Sequence, residues 1–219
     1  MFPAADSDLN GIKGLVMTGG DLEPASILHA YRHGIFPWYS EGEPILWWSP
    51  DPRMVVLPDR FQPGRSLTKR IRHSGMQVSF NRCFPEVIDA CAMLRQEEGT
   101  WITADMREAY CELHRMGWAH SFETWLDDRL VGGFYGLAIG QVFFGESMFH
   151  KVSDASKIAF AEGMKRLCAW GYQIVDCQVA TRHLASLGGL MISRADFLEL
   201  LQELIELSPE ADAWCADHD

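Results

Sequence analysis

Between His120 and Val179 the chain lays out a sheet followed by a helix that returns across it. "HSFETWLDDRLVGGFYGLAIGQVFFGESMFH" contains three strand-like runs, broken at Asp127-Asp128 and again at Gly140. Turn formers between runs of this kind predict an antiparallel meander. "SDASKIAFAEGMKRLCAWG" then reads as a helix capped at Ser153 or Asp154 and closed by Gly171, and "YQIVDCQV" reads as a further strand. A strand, a helix of four to five turns and a second strand make a βαβ unit, whose strands should lie parallel and adjacent.

The upstream half is more helical. In "TGGDLEPASILHAYRHG", Pro24 suits a first helical turn, Ile27, Leu28 and Tyr31 form an apolar stripe, and Gly34 follows the end. A short helix is expected from a cap at Ser66 to Gly75, a strand at "MQVSFN", a helix opened by Pro85, and another capped by Thr103 and stopped near Gly117. Ser193 with Asp196 should open a last helix in capping-box style. The chain is therefore α+β, with a small N-terminal α/β domain over residues 1–62 packed on a C-terminal mixed-sheet domain over residues 63–219.

Composition narrows the function. No apolar run reaches the roughly 20 residues of a membrane span, and "MFPAADSDLNG" lacks the layout of a signal peptide. The six cysteines are scattered without close pairs, as reduced thiols of a cytoplasmic protein would be. His114 and His120 have no partners at metal-ligand spacing, so neither metal nor cofactor is expected. The net charge of −11 argues against general nucleic-acid affinity. Between Arg53 and Arg82, however, lie Arg60, Arg65, Lys69, Arg70 and Arg72, opposed only by Asp59. Such a run is either a solvated helix face or a local phosphate-binding patch.

Strand period places the candidate chemistry. In "QVFFGESMF", Val142, Phe144, Glu146 and Met148 should share a face; in "QIVDCQV", Ile174, Asp176 and Gln178 should oppose Val175, Cys177 and Val179. Strands flanking a crossover helix are usually apolar throughout. Glu146, Asp176 and Gln178 break that rule, either at exposed strand ends or as a polar site among Phe134, Phe143, Phe144 and Met148. The meander–helix–strand–helix order resembles the acyl-CoA N-acetyltransferase (GNAT-like) fold. In that fold a Gly-rich turn at the central helix cradles a pyrophosphate. Here the turn is "FHKVSDAS", without glycine and with Asp154 where it would repel phosphate, so another acyl donor is implied.

"GGDL", "GIFPWYS", "PILWWSPDPR", "EEGTWIT", "GESMF", "ASK" and "DCQV" occur in this order across nearly the whole chain. Together they resemble the bacterial leucyl/phenylalanyl-tRNA–protein transferase family. The resemblance implies an enzyme that moves Leu or Phe, and in some settings Met, from aminoacyl-tRNA to proteins with N-terminal Arg or Lys, marking them for N-end-rule degradation. It also implies an acetyltransferase-like C-terminal domain. Residue by residue, Trp38 and Trp101 match tryptophans at the aminoacyl-adenosine site. Phe134, Phe143 and Tyr110 match positions near the pocket for the transferred side chain, and Glu146, Asp176 and Gln178 match a polar centre. Arg65, Lys69, Arg70 and Arg72 match a tRNA-facing side. In direct aminolysis, Asp176 would orient the attacking amine, directly or through Gln178. Gln178 would hydrogen-bond the reacting atoms, and Glu146 would meet the cationic acceptor terminus. Cys177, aimed at the opposite face, would be a small buried residue rather than a nucleophile. The alternatives are another aminoacyl-tRNA- or acyl-CoA-dependent N-acyltransferase, or a non-enzymatic RNA- or peptide-binding module.

Overall fold

A computed structural model describes residues 2–94 and 101–215. Glu97, Glu98, Gly99 and Thr100 of the "EEGTWIT" motif lie outside the described residues. In chain order the elements are β1 (Leu15–Thr18), α1 (Pro24–Arg32), β2 (Phe36–Pro37), β3 (Leu46–Trp48), β4 (Arg53–Val56), α2 (Arg65–His73), β5 (Gln77–Phe80), α3 (Phe84–Met93) and α4 (Ala104–Arg115). There follow β6 (Ala119–Leu126), β7 (Arg129–Ile139), β8 (Val142–His150), α5 (Ala155–Ala169), β9 (Ile174–Gln178), α6 (Arg182–Ser186), β10 (Leu190–Ile192) and α7 (Arg194–Leu204).

The local signals act as their chemistry requires. Thr103 Oγ1 accepts the Met106 N–H at 3.2 Å and so caps α4. Ser193 Oγ accepts the Asp196 N–H at 3.0 Å and donates to its carboxylate at 2.7 Å, which starts α7. α2 begins at Arg65 with Gly64 as its cap, so Ser66 lies inside the helix rather than at its start. Asp154 precedes α5 with a left-handed φ of 67° and pairs with Lys157 at 2.9 Å.

β1, β3 and β2 form a small antiparallel sheet in that order. The remaining strands form a seven-stranded sheet, β10-β4-β9-β8-β7-β6-β5. β6, β7 and β8 are the expected meander, and β9 lies beside β8 and parallel to it after the α5 crossover. The fold is thus α+β with a mixed sheet. β4 runs between β10 and β9 inside this larger sheet, so the expected boundary after residue 62 falls downstream of a strand that belongs to it. The small sheet's own strands end at Trp48.

Both sheets contribute to one core. Val16, Ile27 and Trp47 pack with Leu137, Phe144, Ile174 and Phe197 on one face of the large sheet. On the other face, Ala159, Phe160, Met164 and Leu167 of α5 cover Phe122, Phe134, Phe143 and Val175. Each such large side chain contributes about 1.5–3 kcal/mol when fully buried. Gly163 lets α5 lie flat there, since a Cβ at that position would sit 2.6 Å from the Phe134 ring.

Two irregularities open the sheet. Tyr135 pairs with Ser147 and Gly136 with Gly145, which leaves Glu146 as the extra residue of a β-bulge. The chain passes so close at this point that a Cβ on Gly136 would lie 2.1 Å from the Phe144 carbonyl oxygen. The bulge ends strict alternation: Val142 and Phe144 belong to the first core, whereas Met148 packs against the second. The expectation that Val142, Phe144, Glu146 and Met148 share a face is corrected accordingly. The second irregularity is a short ladder: β8 and β9 pair only from Val142↔Ile174 to Phe144↔Asp176 and then part.

Candidate active site

Where β8 and β9 part, a cavity of about 250 Å³ opens, lined by Phe134, Met148, Phe160, Val175, Cys177 and Leu184, with Glu146 also on its wall. Ligand pockets generally measure about 300–1,000 Å³, so this one suits a single apolar side chain better than a whole cofactor. Phe143 is fully buried behind Phe134, with ring centres 6.0 Å apart. Thr181 and His183 complete the rim.

Four contacts converge on Glu146 and its neighbours. The Tyr31 hydroxyl lies 2.7 Å from Oε1, the Tyr110 hydroxyl 3.2 Å from Oε2, and the two hydroxyls lie 2.6 Å from each other. The Gln178 side-chain amide donates to Oε1 at 2.9 Å. Each contact needs a proton, and the two phenols and the amide supply one apiece. A protonated Glu146 supplies the missing one. Burial pushes Glu146 the same way, up to about 8, and nearby Asp176 adds to the rise while the hydrogen bonds from Tyr31, Tyr110 and Gln178 pull it back. Burial chiefly, and then Glu146, hold both tyrosines well above their usual range. Tyr110, expected near the side-chain pocket, is wholly buried and meets the site through its hydroxyl instead.

Asp176 is also wholly buried, and its carboxylate is occupied. Arg53 Nε donates to Oδ1 at 2.9 Å and Nη2 to Oδ2 at 2.7 Å, while the Gln178 backbone N–H donates to Oδ1 at 2.8 Å. Of the two roles expected for Asp176, direct contact with an amine is closed by this geometry, and action through Gln178 is left. Gln178 has φ 63°, and Val179 N–H donates back to the Cys177 carbonyl at 2.7 Å, so Gln178 is the centre of a tight γ-turn. Val179, past that turn, is 40% exposed rather than buried with Val175 and Cys177. Cys177 does lie with Val175 on the α5 face, and burial first, then Asp176, raises its thiol far above the usual range.

The other expected residues stand around this centre. Trp38 is 45% exposed, crosses Trp48 edge to face at 6.2 Å, and accepts the Trp48 indole N–H on its carbonyl at 2.8 Å. Trp47 is fully buried and bonded to the Gly19 carbonyl at 2.8 Å. Trp101 is half-buried against the first core. Neither Trp38 nor Trp101 lines the cavity. Arg65, Lys69, Arg70 and Arg72 are all exposed on α2, which packs on α5. Among the described residues no group of His, Cys, Asp and Glu could hold a metal ion, and no helix is long and apolar enough to cross a membrane. Sequence reasoning missed two residues of the centre. In the sequence Tyr31 shows only as part of an apolar stripe. Arg53, a charge opening the buried run "RMVV", counted only as the edge of a basic region. That misplaced charge was the available signal.

A polar centre at a split in a mixed sheet, set against an apolar pocket, has the form of an enzyme's substrate site. Residues 55–202 match the family model described as leucyl/phenylalanyl-tRNA protein transferase, and residues 20–51 match that family's N-terminal domain. The leucyl/phenylalanyl-tRNA--protein transferase of Methylococcus capsulatus is 52% identical over 214 residues, 97% of this chain and 91% of that protein. The proteins of the same description from Stutzerimonas stutzeri and Nitrosospira multiformis are 51% and 49% identical, covering 98% and 100% of this chain and 95% of each relative. The chain belongs to the leucyl/phenylalanyl-tRNA–protein transferase family. Among solved structures, FemX superposes with a TM-score of 0.48 at 12% identity, over 69% of this chain and 64% of that one.

Proposed function

We propose that the protein transfers leucine or phenylalanine, with methionine as a third candidate, from aminoacyl-tRNA to the α-amine of proteins that begin with Arg or Lys. The apolar cavity beside Glu146 and Gln178 carries the reading, because it offers a dry seat for one side chain within reach of hydrogen-bonding groups. In the reaction the amine nitrogen bonds to the ester carbonyl carbon, the bond to the ribose oxygen breaks, and the amine's proton ends on that oxygen. An α-amine has a pKa of about 7.7–8.0, so a substantial share is already neutral near pH 7 and positioning can do much of the work.

Phe134 and Phe143 shape the side-chain seat, and Gln178 donates to the developing oxyanion or orients the amine. Glu146 gives up its proton when the cationic acceptor arrives, since an adjacent positive charge favours the carboxylate. Trp38 and Trp101 supply flat faces for the terminal adenosine, where stacking on an aromatic contributes about 1–3 kcal/mol. The exposed face of α2 takes the tRNA backbone through Arg65, Lys69, Arg70 and Arg72. Products would be proteins marked for N-end-rule degradation in the cytoplasm. The test is to incubate the protein with labelled leucyl-tRNA and Arg-starting peptides. Label at the peptide N-terminus is expected. Its absence, with intact charged tRNA and folded protein, would sink the proposal.

A further inference from the structure

Arg53 is a charge held on every side that the described residues show. Its side chain is wholly buried, and its two-pronged contact fixes both oxygens of Asp176. The guanidinium lies over two phenyl rings, 4.9 Å from the centre of Phe36 and 4.6 Å from that of Phe197. Those rings belong to β2 and α7, so three parts of the chain close on one side chain. Its Nη1 is buried with no hydrogen-bond partner among the described residues, so the fork's hold on Asp176 runs through Nε and Nη2 alone. The carboxylate it holds accepts the backbone N–H of Gln178 on the oxygen that also takes Arg53 Nε. Gln178 occupies a left-handed conformation that side-chain-bearing residues adopt rarely, and such strain persists only when its surroundings enforce it. From that turn its amide reaches across the split to Glu146.

We infer that Arg53 is a positioning residue for the transfer reaction: its fork, fixed on Asp176, holds Gln178 in the turn that aims the Gln178 amide at Glu146 and the cavity. The inference rests on the transfer reaction proposed above. It implies that the pair acts through geometry and not through charge alone. Lysine would keep the positive charge beside Asp176 but lose the planar match to both oxygens.

Arg53→Lys is the test. The kcat for leucylation of an Arg-starting peptide should fall about tenfold or more while KM for peptide and for leucyl-tRNA changes by less than about twofold, the pattern of a group felt in the transition state. Hydrogen exchange at the Gln178 amide should quicken while exchange at Val175, mid-strand in β9, stays as in the wild type. A merely structural pair would loosen both amides together. A folded Arg53→Lys with wild-type kcat, or with unchanged exchange at Gln178, would overturn the inference. Should that variant not fold, Arg53→Met combined with Asp176→Leu removes both charges together, which buried pairs commonly tolerate. The folded double variant should show the same loss of kcat and the same exposure of the Gln178 amide, and normal values of either would overturn the inference. Exchange is read without substrate. A wild type that moves no leucine would therefore defeat the transfer reading and leave the exchange result to judge the clamp.

Discussion

Glu123 on β6 and Glu146 on β8 are both carboxyl groups set into the same sheet, two strands apart. Glu123 is wholly buried, yet it accepts the hydroxyls of Ser79 and Ser121, each at 2.6 Å, with the Cys83 N–H at 3.5 Å. Burial raises its pKa, and those donors pull it back. It pairs in register with Gly133, one position before a bulge in the β6–β7 ladder, and it does not border the cavity that Glu146 borders. Glu146 instead occupies a bulge, borders a cavity, and has one proton too few among its neighbours when ionised. Burial of a carboxyl group is therefore not what marks the site. The mark is a carboxyl whose ring of partners calls on its own proton, set beside open space.

The largest expected effect lies at the partner of that site. Asp176→Asn should lower transfer about tenfold or more, a barrier change of about 1.4 kcal/mol at least. The sequence alone leads one to expect an intact fold in this variant. The ion pair replaces that expectation: Arg53 would be left buried without its counter-charge, a loss of about 3–5 kcal/mol of stability in urea unfolding. Wild-type values of both would separate Asp176 from the reaction and the core alike. Glu123→Gln is the control on the other side of the comparison. It should leave turnover per folded molecule unchanged while disturbing its bonded donors by about 1–3 kcal/mol. A folded but dead Glu123→Gln enzyme would erase the distinction between the two carboxyl groups.

The pH dependence sharpens it. The folded Glu146 holds its proton up to about 8, against a usual 4.5, so the folded state binds more protons than the unfolded chain between those values. Stability contributed by this group should therefore fall as pH rises from 4.5 towards 8, at up to about 1.4 kcal/mol per unit. Glu146→Gln keeps the shape and offers a fixed N–H in place of the acid proton. It should flatten that slope and raise KM for the Arg-starting peptide. An unchanged slope in thermal unfolding from pH 5 to 8 would place the proton elsewhere.

Lys69→Ala with Arg70→Ala should weaken tRNA binding and reduce the slope of log affinity against log salt by roughly 0.7–0.9 per lost phosphate contact. Transfer from a short aminoacyl-adenosine should suffer much less. Equal loss with both donors would make the basic face of α2 structural. The smallest effect is expected at Cys177→Ala, with most activity kept and about 1 kcal/mol of stability lost. Recovery of a labelled acyl group on Cys177 would overturn direct attack by the amine.

Much of this architecture could be read from residues close in sequence. Turn residues at Asp127-Asp128 and Gly140, caps at Thr103 and Ser193, and the length of the crossover helix act within a few positions of themselves, so they specified the meander, α4, α7 and the parallel placement of β9. The motifs likewise named Glu146, Asp176 and Gln178 as a polar group. Period-2 reasoning failed at Met148 and Val179 because a bulge and a γ-turn each break the alternation on which it depends.

The sequence by itself thus determined the order of elements, the family, and which residue types gather at the split, since local propensity and motif spacing need no knowledge of distant contacts. Tertiary structure alone decided that Arg53, 123 positions away, would occupy both oxygens of Asp176. It likewise decided that Tyr31 and Tyr110, 79 positions apart, would close a proton-short ring on Glu146. Both are consequences of packing: desolvation makes an unpaired charge or hydroxyl expensive, and the partner that relieves it is whichever side chain the completed fold brings within about 3 Å.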